Sequence, residues 1–178
     1  MASAFGHAFA AIALGTSLPK EYRSPKFWIL AMLCAILPDA DVIGFSFGIP
    51  YESFWGHRGF SHSFLGAFIL GTLITTIFYR TIILSKKGIL LILFFTITTA
   101  SHAILDAMTT GGLGVAFFSP WDTTRHFFEW RPIKVSPIGI KNFFGERGLR
   151  VILSELIYIF IPGTLYMCIT YILHRVRK

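Results

Sequence analysis

Charge is scarce in this chain. Asp, Glu, Lys and Arg make up 14% of its 178 residues, where a soluble domain carries roughly 25%. Hydrophobic residues fill 54% and the mean hydropathy is +0.65. The deficit excludes an ordinary soluble domain and places the chain in the membrane class. Cysteine is almost missing too. Cys34 and Cys168 lie far apart in apolar segments without a C-x-x-C spacing, which argues against a disulfide framework or a thiolate metal site. No internal repeat or low-complexity tract occurs. The first residues, Met1 to His7, lack the positive start of a cleavable signal, and the beginning is read as mature protein.

What the chain has in quantity is apolar sequence. Three runs, about 64–79, 88–108 and 151–173, are long enough to span a bilayer core of about 30 Å. Pro162-Gly163 predicts a kink or local break in the last of them. Two shorter stretches, about 8–18 and 27–37, precede these, and at ~1.5 Å per residue the first is too short to cross unaided. The expected fold is therefore all-α, an integral membrane bundle of about five helices, three spanning and two shorter. Residues 1–178 form one domain. The region at about 111–150 is polar, aromatic and punctuated by Pro and Gly; it reads as a loop or cap, too short for a core of its own.

Ionisable residues interrupt the apolar pattern, and they recur as His and Asp: His7, Asp39, Asp41, His57, His62, His102 and Asp106. Such residues in apolar helices are costly without partners and mark functional sites by default. If the five segments alternate in direction, every one of these falls at the same end. The opposite end collects Lys20, Arg23, Lys26, Arg80, Lys86, Lys87, Arg175, Arg177 and Lys178 against the single acid Glu21. By the positive-inside rule the His/Asp end looks away from the cytoplasm.

Each element has a chemical reading beside a plainer structural one. His102 and Asp106, four apart on a helix, share a face; they can meet one ion or simply bond to each other between helices. His57 and His62 would point about 140° apart on a continuous helix. They converge if His57 lies in a loop and His62 in the first turn of the next helix, the plainer alternative being a helix entry capped by Ser61. Asp39 and Asp41 follow Pro38 at an expected helix end, where carboxylates oppose the helix dipole and need a positive partner. Imidazole and carboxylate donors without thiolate suit Zn²⁺, Mn²⁺ or Fe²⁺ in a catalytic rather than a closed structural site. Seven donors exceed one tetrahedral ion, so one or two divalent ions are expected, with Asp106 or Asp41 as a bridge.

These stretches are similar to a known family. Gly6-His7, Leu37-Pro38-Asp39-Ala40-Asp41, His57-Arg58-Gly59-Phe60-Ser61-His62-Ser63, Ser101-His102-Ala103-Ile104-Leu105-Asp106, Thr109-Thr110-Gly111-Gly112, Ser119-Pro120-Trp121 and Trp130-Arg131-Pro132-Ile133 resemble the YdjM-like family of inner-membrane proteins, described as LexA-binding, metal-dependent hydrolases. More distantly, the order of His and Asp is similar to the zinc-dependent phospholipase C and single-strand nuclease superfamily. That likeness implies His7, Asp39 or Asp41, His57 or His62, His102 and Asp106 as ligands. A second His-x-x-x-Glu is missing, with His126 and Glu129 three apart as a poor stand-in, so one or two ions fit better than three.

The loop interleaves Trp121, Arg125, His126, Phe127, Phe128, Trp130, Arg131 and Lys134, the pattern of an interfacial belt against anionic head groups. The expected function is a membrane-bound, metal-dependent hydrolase of the cytoplasmic (inner) membrane that cleaves a phosphoester of a lipid or lipid-linked compound. The metal residues would also orient the water, Asp41 and Asp106 prominent among them, while Arg58 stabilises developing negative charge. Membrane lipid is the expected partner rather than nucleic acid. The alternative is non-enzymatic metal binding or transport.

Overall fold

The computed structural model describes residues 1–176; Arg177 and Lys178, counted above at the basic end, lie outside them. The chain runs through α1 (Ala4–Gly15), α2 (Pro25–Ile36), α3 (Phe64–Phe78), α4 (Lys86–Ala107), the single turn α5 (Ile140–Phe143), α6 (Glu146–Glu155) and α7 (Ile161–Val176). A π-helical turn, Leu156–Phe160, joins α6 to α7 as one rod, so the helices of consequence are the five expected. Among the described residues no strand forms. Two isolated bridges, Thr109 with Ile133 and Val115 with His126, pin the loop region down.

Serine starts the first four helices. Ser3, Ser24, Ser63 and Ser85 accept hydrogen bonds from the backbone N–H groups of Gly6, Phe27, Gly66 and Gly88, satisfying donors that an apolar setting would leave exposed. Ser63 caps α3 rather than Ser61, which leaves Ser61 for another task.

The identity of the spanning helices corrects the hydropathy reading in one place. Pro25–Phe47, Lys86–Ala107 and Glu146–Val176 are long and apolar enough to cross a membrane, whereas Ala4–Gly15 and Phe64–Phe78 form the shorter pair. Pro38 predicts a stop. Instead α2 tightens into a 3₁₀ helix, Leu37–Phe47, a winding that keeps the rod going where the proline ring obstructs an α-helical turn. The disturbance expected at Pro162 is present one turn earlier. The wider π turn contains Tyr158, whose carbonyl would otherwise meet the ring.

α4 is the hub, packed against α1, α2 and α3. Ala11, Leu30, Ala31, Cys34 and Ala35 bury themselves against Ile74, Leu91, Phe94 and Phe95. α3 and α4 come close at Gly71, where a Cβ would lie 2.6 Å from the backbone nitrogen of Thr96, the small-residue contact typical of helices packing in lipid. Outward faces carry Ile29, Leu33, Leu73, Ile77, Leu93, Ile97, Leu165 and Ile169, all exposed, as a lipid-facing surface requires.

At one end the basic connections meet. Arg23 donates to the carbonyls of Thr16 and Leu18 and lies 3.4 Å from His174 Nδ1. Lys26 donates to the Phe78 carbonyl over the Tyr79 ring, and Lys87 sits 4.8 Å from the centroid of Tyr22. The alternating directions inferred from charge are thus those of the fold. Gly71→Val is expected to force α3 from α4 and destabilise the bundle by about 1–3 kcal/mol. A thermal melt of the detergent-purified protein would register this as a lower Tm, and an unchanged Tm would contradict the close approach.

Candidate metal centre

The other end gathers the His and Asp residues. α4 presents His102 and Asp106 one turn apart, both fully buried. The 3₁₀ extension of α2 supplies Asp39 and Asp41. At three residues per turn these two point roughly 120° apart, so they serve different neighbours. His62 closes a short 3₁₀ turn, Phe60–His62, just ahead of α3, and His57 lies in the loop before it. α1 brings His7, 1% exposed.

Asp39, His62, His102 and Asp106 each offer one donor atom, all within 4.8 Å of one another. His102 Nε2 is 2.9 Å from His62 Nε2 and 3.3 Å from Asp39 Oδ1; His62 Nε2 is 3.5 Å from Asp39 Oδ1 and 3.7 Å from Asp106 Oδ2. A tetrahedral ion with bonds of about 2.0–2.1 Å separates its ligand atoms by roughly 3.3 Å. The observed spacings scatter around that edge length.

Tautomers sharpen the fit. His102 Nδ1 is 2.7 Å from the Ala35 carbonyl, which can only accept, so Nδ1 carries the proton and a neutral ring leaves Nε2 bare. His62 Nδ1 lies 3.0 Å from Ser61 Oγ and 3.2 Å from Asp41 Oδ2, which likewise turns a bare Nε2 inward. Two lone pairs 2.9 Å apart repel unless a cation or proton lies between them. Among the described residues Asp39 Oδ1 and both nitrogens of His7 find no hydrogen-bond partner, an unusual state for buried polar atoms. The donor set fits a divalent ion.

Asp41 has the character of an orienting carboxylate. Its Oδ1 accepts from His57 Nδ1 at 2.7 Å, while Oδ2 accepts from Ser61 Oγ at 2.5 Å and the Arg58 N–H at 3.2 Å. Carboxylates of this kind fix imidazole tautomers around metals. With His57 and His62 it also forms a second group of donors within 4.8 Å. Burial lowers the pKa of His57 despite Asp41 beside it, so its ring is neutral at neutral pH.

Asp106 is the most heavily bonded carboxylate. Oδ1 accepts from the Ala2 N–H at 2.7 Å and faces His7 Nε2 at 3.3 Å; Oδ2 accepts from Arg58 Nε at 3.0 Å. His7 stacks on His102 with ring centroids 3.8 Å apart. Arg58 is fully buried, its Nη1 donating to the Gly111 carbonyl and its Nη2 to Thr109 Oγ1. It holds a left-handed backbone, φ 63°, strain that persists where surroundings dictate it. Gly112, φ 92°, makes room for it, since a Cβ would lie 2.6 Å from Arg58 Nη1.

All seven residues read as metal ligands are therefore brought together, with His7 adjoining through Asp106 and His57 through Asp41. His126 and Glu129 belong to neither group of donors; His126 pairs its backbone with Val115. Sequence reasoning missed the supporting contacts. Ser61 is visible within His57–His62 but reads as a cap, and the Ala35 carbonyl carries no side-chain signal. Glu155, fully buried, accepts from Ser3 N–H at 2.5 Å and Ser3 Oγ at 2.6 Å and so anchors the start of α1 beside the centre. In the loop, Arg125 donates to the carbonyls of His57, Tyr51 and Ser53, which fixes the His57 segment, while Trp121 and Trp130 stand exposed.

Arg58 Nε answers Asp106 at 3.0 Å, while among the described residues the ionic partners of Asp39 and Asp41 are imidazoles, so negative charge remains to balance. Burial alone lowers the pKa of His62, but its bonds to Asp39 and Asp41 outweigh that and raise it to about 9. Below that pH a proton on His62 supplies the missing charge, and an entering dication must displace it. Zn²⁺ affinity is accordingly expected to rise about tenfold per pH unit from pH 6 towards 9, measured by competition with a chelating dye. A flat profile would contradict the displacement.

The geometry can be set beside known proteins. No solved structure matches the chain. An inner membrane protein of Escherichia coli (strain K12), YbcI, is 37% identical over 168 residues, covering 94% of this chain and 95% of that protein. The model of the family described as YdjM inner membrane protein matches residues 1–176. With the spanning helices already described, these place the protein in the inner membrane, and the chain belongs to the YdjM inner membrane protein family.

Proposed function

We propose that the protein is a metal-dependent hydrolase that cleaves a phosphoester of a lipid or lipid-linked substrate. The observation that carries this reading is the gathering of donor atoms from Asp39, His62, His102 and Asp106 within 4.8 Å of one another, with Asp41 and Ser61 bridging from His62 to a cavity. That cavity, about 350 Å³, is lined by Asp41 and Ser61 together with Gly44, Ile49, Trp55 and Phe60. Its walls are largely apolar, and Trp55 is exposed at 64%, which suits a substrate that remains in the lipid phase.

Asp39, His62, His102 and Asp106 would hold the ion, Zn²⁺ first among candidates and Mn²⁺ or Fe²⁺ next. When bound, the ion supplies Lewis acidity and lowers the pKa of a water. Asp41 is the acceptor for the proton released in the attack, since it reaches the cavity and shares its charge with the His57 imidazole. Arg58 works through Asp106: its fixed positive charge moderates the field of the carboxylates as negative charge grows on the phosphoryl group. Trp55 and Phe60 exclude water from the apolar part of the substrate.

Asp41→Asn is expected to weaken metal binding by about 10–100-fold and, in protein saturated with metal, to lower hydrolysis of a phosphodiester lipid by about 10²–10⁴-fold, whereas Asp39→Asn removes metal and activity together. The assay is phosphate or head-group release by protein reconstituted in proteoliposomes. Metal-loaded wild-type protein inert towards phosphodiesters, phosphomonoesters and esters alike would end the hydrolase reading. Metal uptake into the same vesicles would replace it with transport.

A further inference from the structure

A second, smaller cavity opens at the metal-centre end of the bundle. It holds about 230 Å³ and is lined by Thr110, Lys134, Val135, Arg147, Arg150 and Val151. Three cations and no carboxylate line it. Arg150 Nη2 donates to Glu146 Oε1 at 2.9 Å, but those side chains are 62% and 80% exposed, and pairs of that kind hold their partners weakly.

The walls are built rather than incidental. The Lys134 N–H donates to Ser154 Oγ at 2.9 Å and the Val135 N–H to Thr110 Oγ1 at 3.2 Å, while the Thr110 N–H donates to the Ile133 carbonyl at 2.9 Å. These bonds clamp the segment carrying Lys134 between the end of α4 and the face of α6, with Val151 buried beneath. Other arginines nearby are already committed. Arg58 is spent on Asp106, Arg125 on backbone carbonyls and Arg131 lies over the Phe127 ring at 4.7 Å.

Position gives the ligand its class. α6 opens the third helix long and apolar enough to span, Glu146–Val176, and Arg147 and Arg150 fall in its polar first turns, the part of a span that meets head groups. Clustered Lys and Arg at that level attract anionic lipid, and guanidinium forks match phosphate oxygens. We propose that the cavity between Thr110, Lys134, Arg147 and Arg150 binds a phosphate group at the membrane surface, that of an anionic phospholipid head group. The site is independent of the hydrolytic reading. It tethers the loop that follows α4, and with it Thr109 and Arg58, to the bilayer surface.

The test is native mass spectrometry of the full chain in detergent, with added phosphatidylglycerol or phosphatidylcholine and, in a third arm, phosphatidylglycerol plus millimolar inorganic phosphate. Wild-type protein is expected to retain phosphatidylglycerol about tenfold to thirtyfold better than phosphatidylcholine. The exposed pair Lys134→Gln/Arg147→Gln loses that preference, and Lys134→Gln alone loses part of it. The pair Lys20→Gln/Lys86→Gln, with the same charge change at the other end, keeps it. Displacement by inorganic phosphate assigns the site to the phosphate group itself, and resistance assigns it to the intact lipid. Equal retention of both lipids, or equal loss in the control pair, overturns the proposal.

Discussion

Carboxylates in an apolar bundle must be neutralised, and the rest of this structure is arranged around that demand. Asp39, Asp41 and Asp106 lie together near the ends of helices whose outer surfaces face lipid. Unpaired, each would be prohibitively costly there. Arg58 answers part of the charge from a strained backbone position and with every nitrogen engaged. The remainder is met by His62, through a proton or through a metal ion. The same charge deficit therefore ties the elements together and gives the cluster a donor set that could hold a metal ion.

Local winding turns that demand into geometry. The 3₁₀ continuation beyond Pro38 separates the directions of Asp39 and Asp41, so one reaches the His62–His102 pair and the other the His57–Ser61 pair. An α-helical turn at that point would have pointed them differently. The Ser63 cap frees Ser61 for Asp41, and Glu155 fastens the start of α1 so that the Ala2 N–H and His7 meet Asp106. Membership of the YdjM inner membrane protein family and the likeness to YbcI along nearly the whole chain place this arrangement in an inner membrane.

Much of it could be read from residues. The apolar runs announce the helices, and the sorting of basic residues to one end and His and Asp to the other announces their alternating direction, because in a membrane both patterns follow from desolvation. His102 and Asp106 share a face by helical period alone. What escaped was contextual. Pro38 looks like a stop unless the chain is known to change winding, so Pro25–Phe47 looks too short to span and Phe64–Phe78 too prominent. Ser61 resembles a cap until Ser63 is seen to fill that role. The Ala35 carbonyl, which selects the His102 tautomer, belongs to a backbone that no residue pattern reports.

X-ray absorption spectroscopy of the zinc-loaded, detergent-purified protein tests the central claim most directly. The account predicts about four nitrogen and oxygen neighbours at about 2.0–2.1 Å, outer-shell scattering from two imidazoles and no sulfur. Zinc bound through sulfur at about 2.3 Å, or an outer shell without imidazole, would contradict it.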